Sequence, residues 1–251
     1  MTPHERLLSG AVHNNATWCD AMSRSFGCST EWVDGLWVNR SPSPPYYPNA
    51  VTLGPGGSAA TVGFLRSMLT WPLGRPWSVK DSFRRLDLMP LGFGVLFEAE
   101  WIGLAAADPL KTATSDTTPV RVRHPGDLVA WEGFWRSANP DAETSDVRRM
   151  FRPSLLHDPD IRFLTLARGA RTVAVAIANR SNDGSESVVG ISNIVLADGD
   201  REMYRAGLVA SVRDAFPGLP VVGYEQGDDL VAMRDLGFLS LGLLRVWLSA
   251  G

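Results

Sequence analysis

Apolar and polar positions follow two different periods along the chain, and the switches between them mark its elements. Leu128, Trp131, Trp135 and Ala138 recur at spacings of three and four, which predicts a helix behind a short strand at 120–123. Pro125 and Asp127 suit that helix's first turn. Val147, Met150 and Phe151 share one side of a second helix expected over 146–156, with an interruption at Pro153. The period then drops to two. RFLTLAR (162–168) and RTVAVAIAN (171–179) read as strands joined by a tight turn at Gly169, and SNDG (181–184) leads into SVVGISNIVL (187–196) as a hairpin, giving three consecutive antiparallel strands. Behind the acidic turn ADGD (197–200), Tyr204, Leu208, Val212 and Ala215 form a helical stripe that Pro217 and Gly218 end. LPVVGYE (219–225) predicts a buried strand, DDLVAMRDL (228–236) a short helix stopped by Gly237, and the last strand runs to about Leu248. The order β, α, α, β, β, β, α, β, α, β describes an α/β sandwich on a mixed sheet.

The earlier part of the chain carries an echo of this order. Residues 49–82 match 193–226 strand to strand and helix to helix, each with a proline turn behind the helix, and LGFGVLFEAEWI (91–102) sits against LGFLSLGLLRVWL (236–248). The pattern implies a partial duplication in which HNNATWCDAMSRSFG (13–27), expected to be helical, replaces the opening strands. DPLKTATSDTT (108–118) has the composition of a linker, so the expected division is 1–107, 108–118 and 119–251.

Composition narrows the chemistry. With 251 residues, 45% of them hydrophobic, the chain can build a core without disulfides or metals. A formal charge of −3 gives no electrostatic footprint for nucleic acid. No apolar run reaches the roughly 20 residues of a membrane span and MTPHERLLSG is unlike a signal peptide, so a soluble cytoplasmic protein is expected. Cys19 and Cys28 read as small buried or half-buried thiols, and His4, His13, His124 and His157 do not cluster by spacing, so no metal site is expected. Trp18, Trp32 and Trp37, with SPSPPYYPN (41–49), concentrate aromatic rings early in the chain. They suit either the packing between the halves or a pocket for an apolar or amine ligand.

On the hairpin strands, FPGLPVVGYE (216–225), DLGF (235–238) and the terminal strand, residues 119–251 resemble a complete GNAT-superfamily N-acyltransferase domain. The first half resembles a truncated, diverged copy in tandem with it. The resemblance implies transfer from acetyl-CoA or another acyl-CoA to a small-molecule or peptide amine. It implies that strand 187–196 splays from strand 219–225 and exposes backbone groups to pantetheine, with the pyrophosphate over the N-terminus of the intervening helix. Val195, Leu196, Gly199 and Arg201 are then the cofactor-binding candidates. Of the family's turn pattern only Gly199 is matched in Leu196–Arg201, and Asp198 and Asp200 oppose a diphosphate, a like-charge pair about 4 Å apart costing about 1 kcal/mol in water. Where the family has an acidic tyrosine this chain has Met233, and the echo has Leu88; neither donates a proton. Glu225 is the catalytic candidate, as a base at the end of its strand, the alternative being a solvated strand-end carboxylate. Tyr224, Ser192 and Asn193 are candidates for orienting a substrate. GPGGS supplies a second candidate anion loop at Gly54, Gly56, Gly57 and Ser58, the alternative being an ordinary turn. The competing functional expectations are a non-catalytic descendant that binds a small molecule or a protein, and a homo-oligomer built through edge strands.

Overall fold

A computed structural model describes residues 1–33, 35–56, 59–69, 76–110, 116–139, 149–184 and 186–250. Its first helix, α1 (Pro3–Ser25), begins ten residues before the helix expected at 13–27. Thr2 Oγ1 accepts from Glu5 N at 3.1 Å and Glu5 Oε2 accepts from Thr2 N at 2.7 Å, a reciprocal pair that satisfies orphan donors of the first turn. At the other end Gly27, at φ +77°, lets the amides of Gly27 and Cys28 reach back to the Arg24 and Ser23 carbonyls.

The strands form one mixed sheet. They are β1 (Thr30–Val33), β2 (Leu36–Asn39), β3 (Ala50–Thr52), β4 (Ser78–Asp81), β5 (Phe93–Leu104), β6 (Thr118–Arg121), β7 (Ile161–Arg168), β8 (Arg171–Asn182), β9 (Ser187–Leu196), β10 (Val221–Glu225) and β11 (Leu239–Ser249). Their order across the sheet is β1-β2-β3-β4-β11-β5-β10-β9-β8-β7-β6. The last strand of the chain therefore does not lie beside β10. It pairs antiparallel with β4 and β5, and β5 fills the place next to β10, from Val221↔Leu104 to Glu225↔Glu100. The segments on either side of 108–118 thus share one hydrogen-bonded ladder. Among the described strands only β3–β4 and β9–β10 are parallel.

The helices α2 (Ala59–Met68), α3 (Pro125–Ser137), α4 (Arg201–Ala215) and α5 (Gly227–Asp235) complete the layers. Leu208, Val209 and Val212 of α4 and Leu230 and Met233 of α5 bury their stripes with Ile102, Leu104 and Val221 on one face of the sheet. On the opposite face α3 packs Leu128, Trp131 and Trp135 with Trp18 and Met22 of α1, Phe151 and Phe163. The Trp131, Trp135, Phe151 and Phe163 rings meet edge to face at 5.0–5.6 Å, geometry that adds to the gain from burial alone.

Two expectations change here. Residues 149–152 are not helical, and Pro153 opens a 3-10 turn, Pro153–His157, instead of interrupting an α-helix; 146–148 lie outside the described residues. The Glu132 carboxylate supplies the local reason, because it accepts from the amides of Met150 at 2.7 Å and Phe151 at 3.4 Å and offers those backbone donors an alternative to a helical turn. Trp18 and Trp37 are buried as interior packing requires, whereas Trp32 is 41% exposed and stacks on His13 at 5.0 Å. Since Glu132 is buried and also binds Arg136 at 2.7 Å, Glu132→Ala should cost about 2–4 kcal/mol by removing that ion pair and leaving two buried amides without their acceptor, measurable as a lowered urea midpoint with unchanged slope.

Candidate functional site

The parallel ladder between β9 and β10 holds only for Val221↔Val189 and Val222↔Gly190, and then the two strands part. A bulge assists the separation. The β8–β9 register shifts between Val175 and Ile177, where Asn193 takes φ +54°, a left-handed conformation that asparagine tolerates better than most residues. β10 continues along β5 to Glu225, so one side of the gap remains anchored. Gly223 permits the close approach at the apex, since a Cβ there would lie 3.0 Å from the Ile191 carbonyl oxygen.

Two clefts open on the gap. One of about 270 Å³ lies under α1 and is lined by Asn14, Trp18, Tyr47, Lys80, Trp135, Ser192, Asn193 and Tyr224, among others. The other, about 250 Å³, is polar and lined by Ile194, Val195, Leu196, Arg201, Arg205 and Asp229. Glu225 lines both. Burial, followed by the nearby Asp229 carboxylate, pushes its carboxyl up to about 7, with Arg205 acting in the opposite direction. Arg205 is engaged elsewhere, in an ion pair with Asp229, and the Glu225 carboxylate makes no hydrogen bond or ion pair with any described residue. A half-buried carboxylate that titrates near neutrality at the meeting of two clefts has the properties of a proton acceptor.

The cofactor-binding candidates are only partly assembled. Val195, Leu196 and Arg201 share the polar cleft, but Arg201 Nη1 donates to the Leu196 carbonyl at 3.0 Å, so that backbone acceptor is already engaged. Gly199 takes φ +119° in the turn before α4, and Asp200 caps the helix, its carboxylate accepting from Met203 N at 3.1 Å. An acidic side chain therefore sits where a helix N-terminus would otherwise hold a phosphate. Met233 is buried against Ile102 and Val221, and Leu88 is buried in a separate cluster with Trp77 and Trp247. In the glycine loop, Gly54 and Gly56 border neither cleft, and a Cβ at either would meet open space. Gly57 and Ser58 lie outside the described residues. Periodicity alone did not single out Lys80, Asn14 or Arg205; each is a charged or polar position inside an apolar stripe, and that was the available signal.

Among solved structures the chain is similar to a GCN5-related N-acetyltransferase from Kribbella flavida, at TM-score 0.66 and 14% identity over 96% of each chain. It is also similar to a functionally unknown conserved protein from Staphylococcus epidermidis, at TM-score 0.63 and 11% identity over 88% of this chain and 94% of that one. A GNAT-family protein assigned as an acetyltransferase from Novosphingobium aromaticivorans aligns at TM-score 0.56 and 11% identity over 96% of both. No protein-family model matches the sequence, and no curated protein matches it. The chain has the fold of the GNAT superfamily. No described helix is long and apolar enough to cross a membrane.

Proposed function

We propose that the protein is a cytoplasmic acyl-CoA-dependent N-acyltransferase whose acceptor amine meets the acyl group at the β9–β10 gap. The observation that supports this is the position of Glu225, with a raised pKa and no hydrogen-bond or ion-pair partner among the described residues, where the two clefts join. Acyl-CoA would supply a thioester carbonyl. The amine nitrogen forms the new C–N bond as the C–S bond breaks, Glu225 takes the nitrogen's proton, and the departing thiolate takes one from water, so no acid is needed at Met233. Ser192, Asn193 and Tyr224 would orient the acceptor from the cleft beneath α1. The sheet order also favours reading the chain as a duplicated unit with exchanged final strands: β3, α2, β4 and β5 repeat the order β9, α4, β10 and β11, and each parallel pair is followed, toward the centre of the sheet, by the other unit's last strand.

The site fits the pantetheine end of such a cosubstrate better than its pyrophosphate. Backbone groups face an open gap, but Asp200 occupies the α4 N-terminus. Given that charge cost, acetyl-CoA should bind no tighter than about tens of micromolar. Asp200→Asn, which keeps the cap and removes the charge, should tighten binding about fivefold. Isothermal calorimetry tests both, and a nanomolar constant for the parent or no tightening in the variant would refute the electrostatic account. The same self-capped helix favours a second reading, a non-catalytic protein that binds its ligand beneath α1. Absence of acetyl-CoA binding in both proteins would select it.

A further inference from the structure

Lys80 is a buried cation in the acceptor cleft that the proton transfer at Glu225 does not use. It stands on β4, with β11 and β5 between it and β10, yet its Nζ lies over the Tyr224 ring, 4.1 Å from the centroid, and donates to Asn15 Oδ1 at 2.8 Å. It is 4% exposed and lines both the cleft beneath α1 and an adjoining one of about 330 Å³. No described carboxylate lies within ion-pair distance of it. The nearby Asp20 is engaged by Arg24 and the Trp37 indole, and burial pushes the Cys19 thiol up to about 11, so that group stays neutral. One amide oxygen and one aromatic face satisfy only part of an ammonium with three donors. A buried cation in this condition is costly, and an anionic ligand group entering the cleft would offset that cost.

We infer that the acceptor is an amine that also carries a carboxylate, the carboxylate placed against Lys80 Nζ and an apolar body lying along Trp18, Tyr47 and Trp135. Its amine would point toward Glu225, an assignment that rests on the acyltransferase reading above. The carboxylate preference itself can be measured without any transfer. The full chain would be titrated with 3-phenylpropionate and with its neutral isostere 3-phenylpropionamide in the absence of CoA, followed by tryptophan fluorescence and calorimetry. The carboxylate should bind at least about tenfold more tightly. Lys80→Met should abolish that preference and Lys80→Arg should preserve it, with circular dichroism reporting whether each variant is folded. Equal affinity for the two probes in the parent overturns the inference, as does a folded Lys80→Met protein that keeps the preference, or no binding of either probe at about 10 mM. If Lys80→Met does not fold, the comparison in the parent decides. A protein inactive toward every amine but selective for the carboxylate probe would uphold the carboxylate subsite at Lys80 and defeat the acyltransferase reading, so the two fail separately.

Discussion

Glu225→Gln should lower turnover of an acceptor amine about a hundredfold, the low end for a general base, and should make the protein more stable above neutrality. Both effects follow from one environment. The carboxyl is pushed from 4.5 to about 7, by burial first and Asp229 second. Proton acceptance requires the ionised form, so kcat/KM of the parent should climb with pH and reach half its plateau near 7, a limb that glutamine removes. The stability effect has the opposite sense. A raised native pKa means that the folded state holds the proton more tightly than the unfolded one, so this group's contribution to stability is complete below about 4.5 and is lost as pH rises through about 7. A shift of that size is worth on the order of 3 kcal/mol. Glutamine lacks the penalty, so at pH 8 the variant should be more stable by about 1–3 kcal/mol, a difference that vanishes near pH 4. Steady-state kinetics and urea unfolding at both pH values check the pair. Equal activity in variant and parent would remove Glu225 as the base. A parent inactive across a broad amine panel would favour the binding-protein reading.

Gly190→Ala should have the largest structural effect. A Cβ at this position would lie 1.9 Å from Asn14 Oδ1 and 2.8 Å from Asn179 Oδ1. Asn14 cannot swing away cheaply: it is buried, and its Nδ2 donates to the Asn179 carbonyl at 2.8 Å and to Ser181 Oγ at 2.9 Å. The methyl must therefore lift α1 or strand buried polar groups, at a cost of about 2–4 kcal/mol. Because Asn14, Asn15 and Trp18 roof the cleft, ligand affinity should fall together with stability. Denaturant unfolding of Gly190→Ala, Asn14→Ala and the double variant would test the contact, and the double variant should lose less than the sum of the singles. Strict additivity would show that the two positions do not collide.

The comparison of sequence with structure is most instructive at α1 and at Glu225. The helix expected at 13–27 covers only the second half of α1, although Thr2, Pro3 and Glu5 carry the start signal of a capping box. Glu225 could be placed at a strand end from periodicity, but its elevated pKa depends on burial and then on the nearby Asp229, neither of which strand periodicity encodes. The aspartates flanking Gly199 were legible in the sequence as acidic groups beside the α4 N-terminus, and the structure adds that Asp200 itself caps the helix.

The sequence by itself determined most elements of the second half, because their apolar periods and stop residues act within a few positions of the chain. β7, β8 and β9 with their hairpin signals, the α4 stripe and the Gly237 stop are local facts of this kind. Tertiary structure alone decided which strands became neighbours. β11 carries the same alternation whether it lies beside β10 or beside β4, so its pattern cannot distinguish the two pairings, and the choice rests on contacts between residues more than a hundred positions apart. That choice puts β5 between β10 and β11, sets Lys80 over Tyr224, and leaves Glu225 without a hydrogen-bond or ion-pair partner among the described residues where β9 and β10 separate.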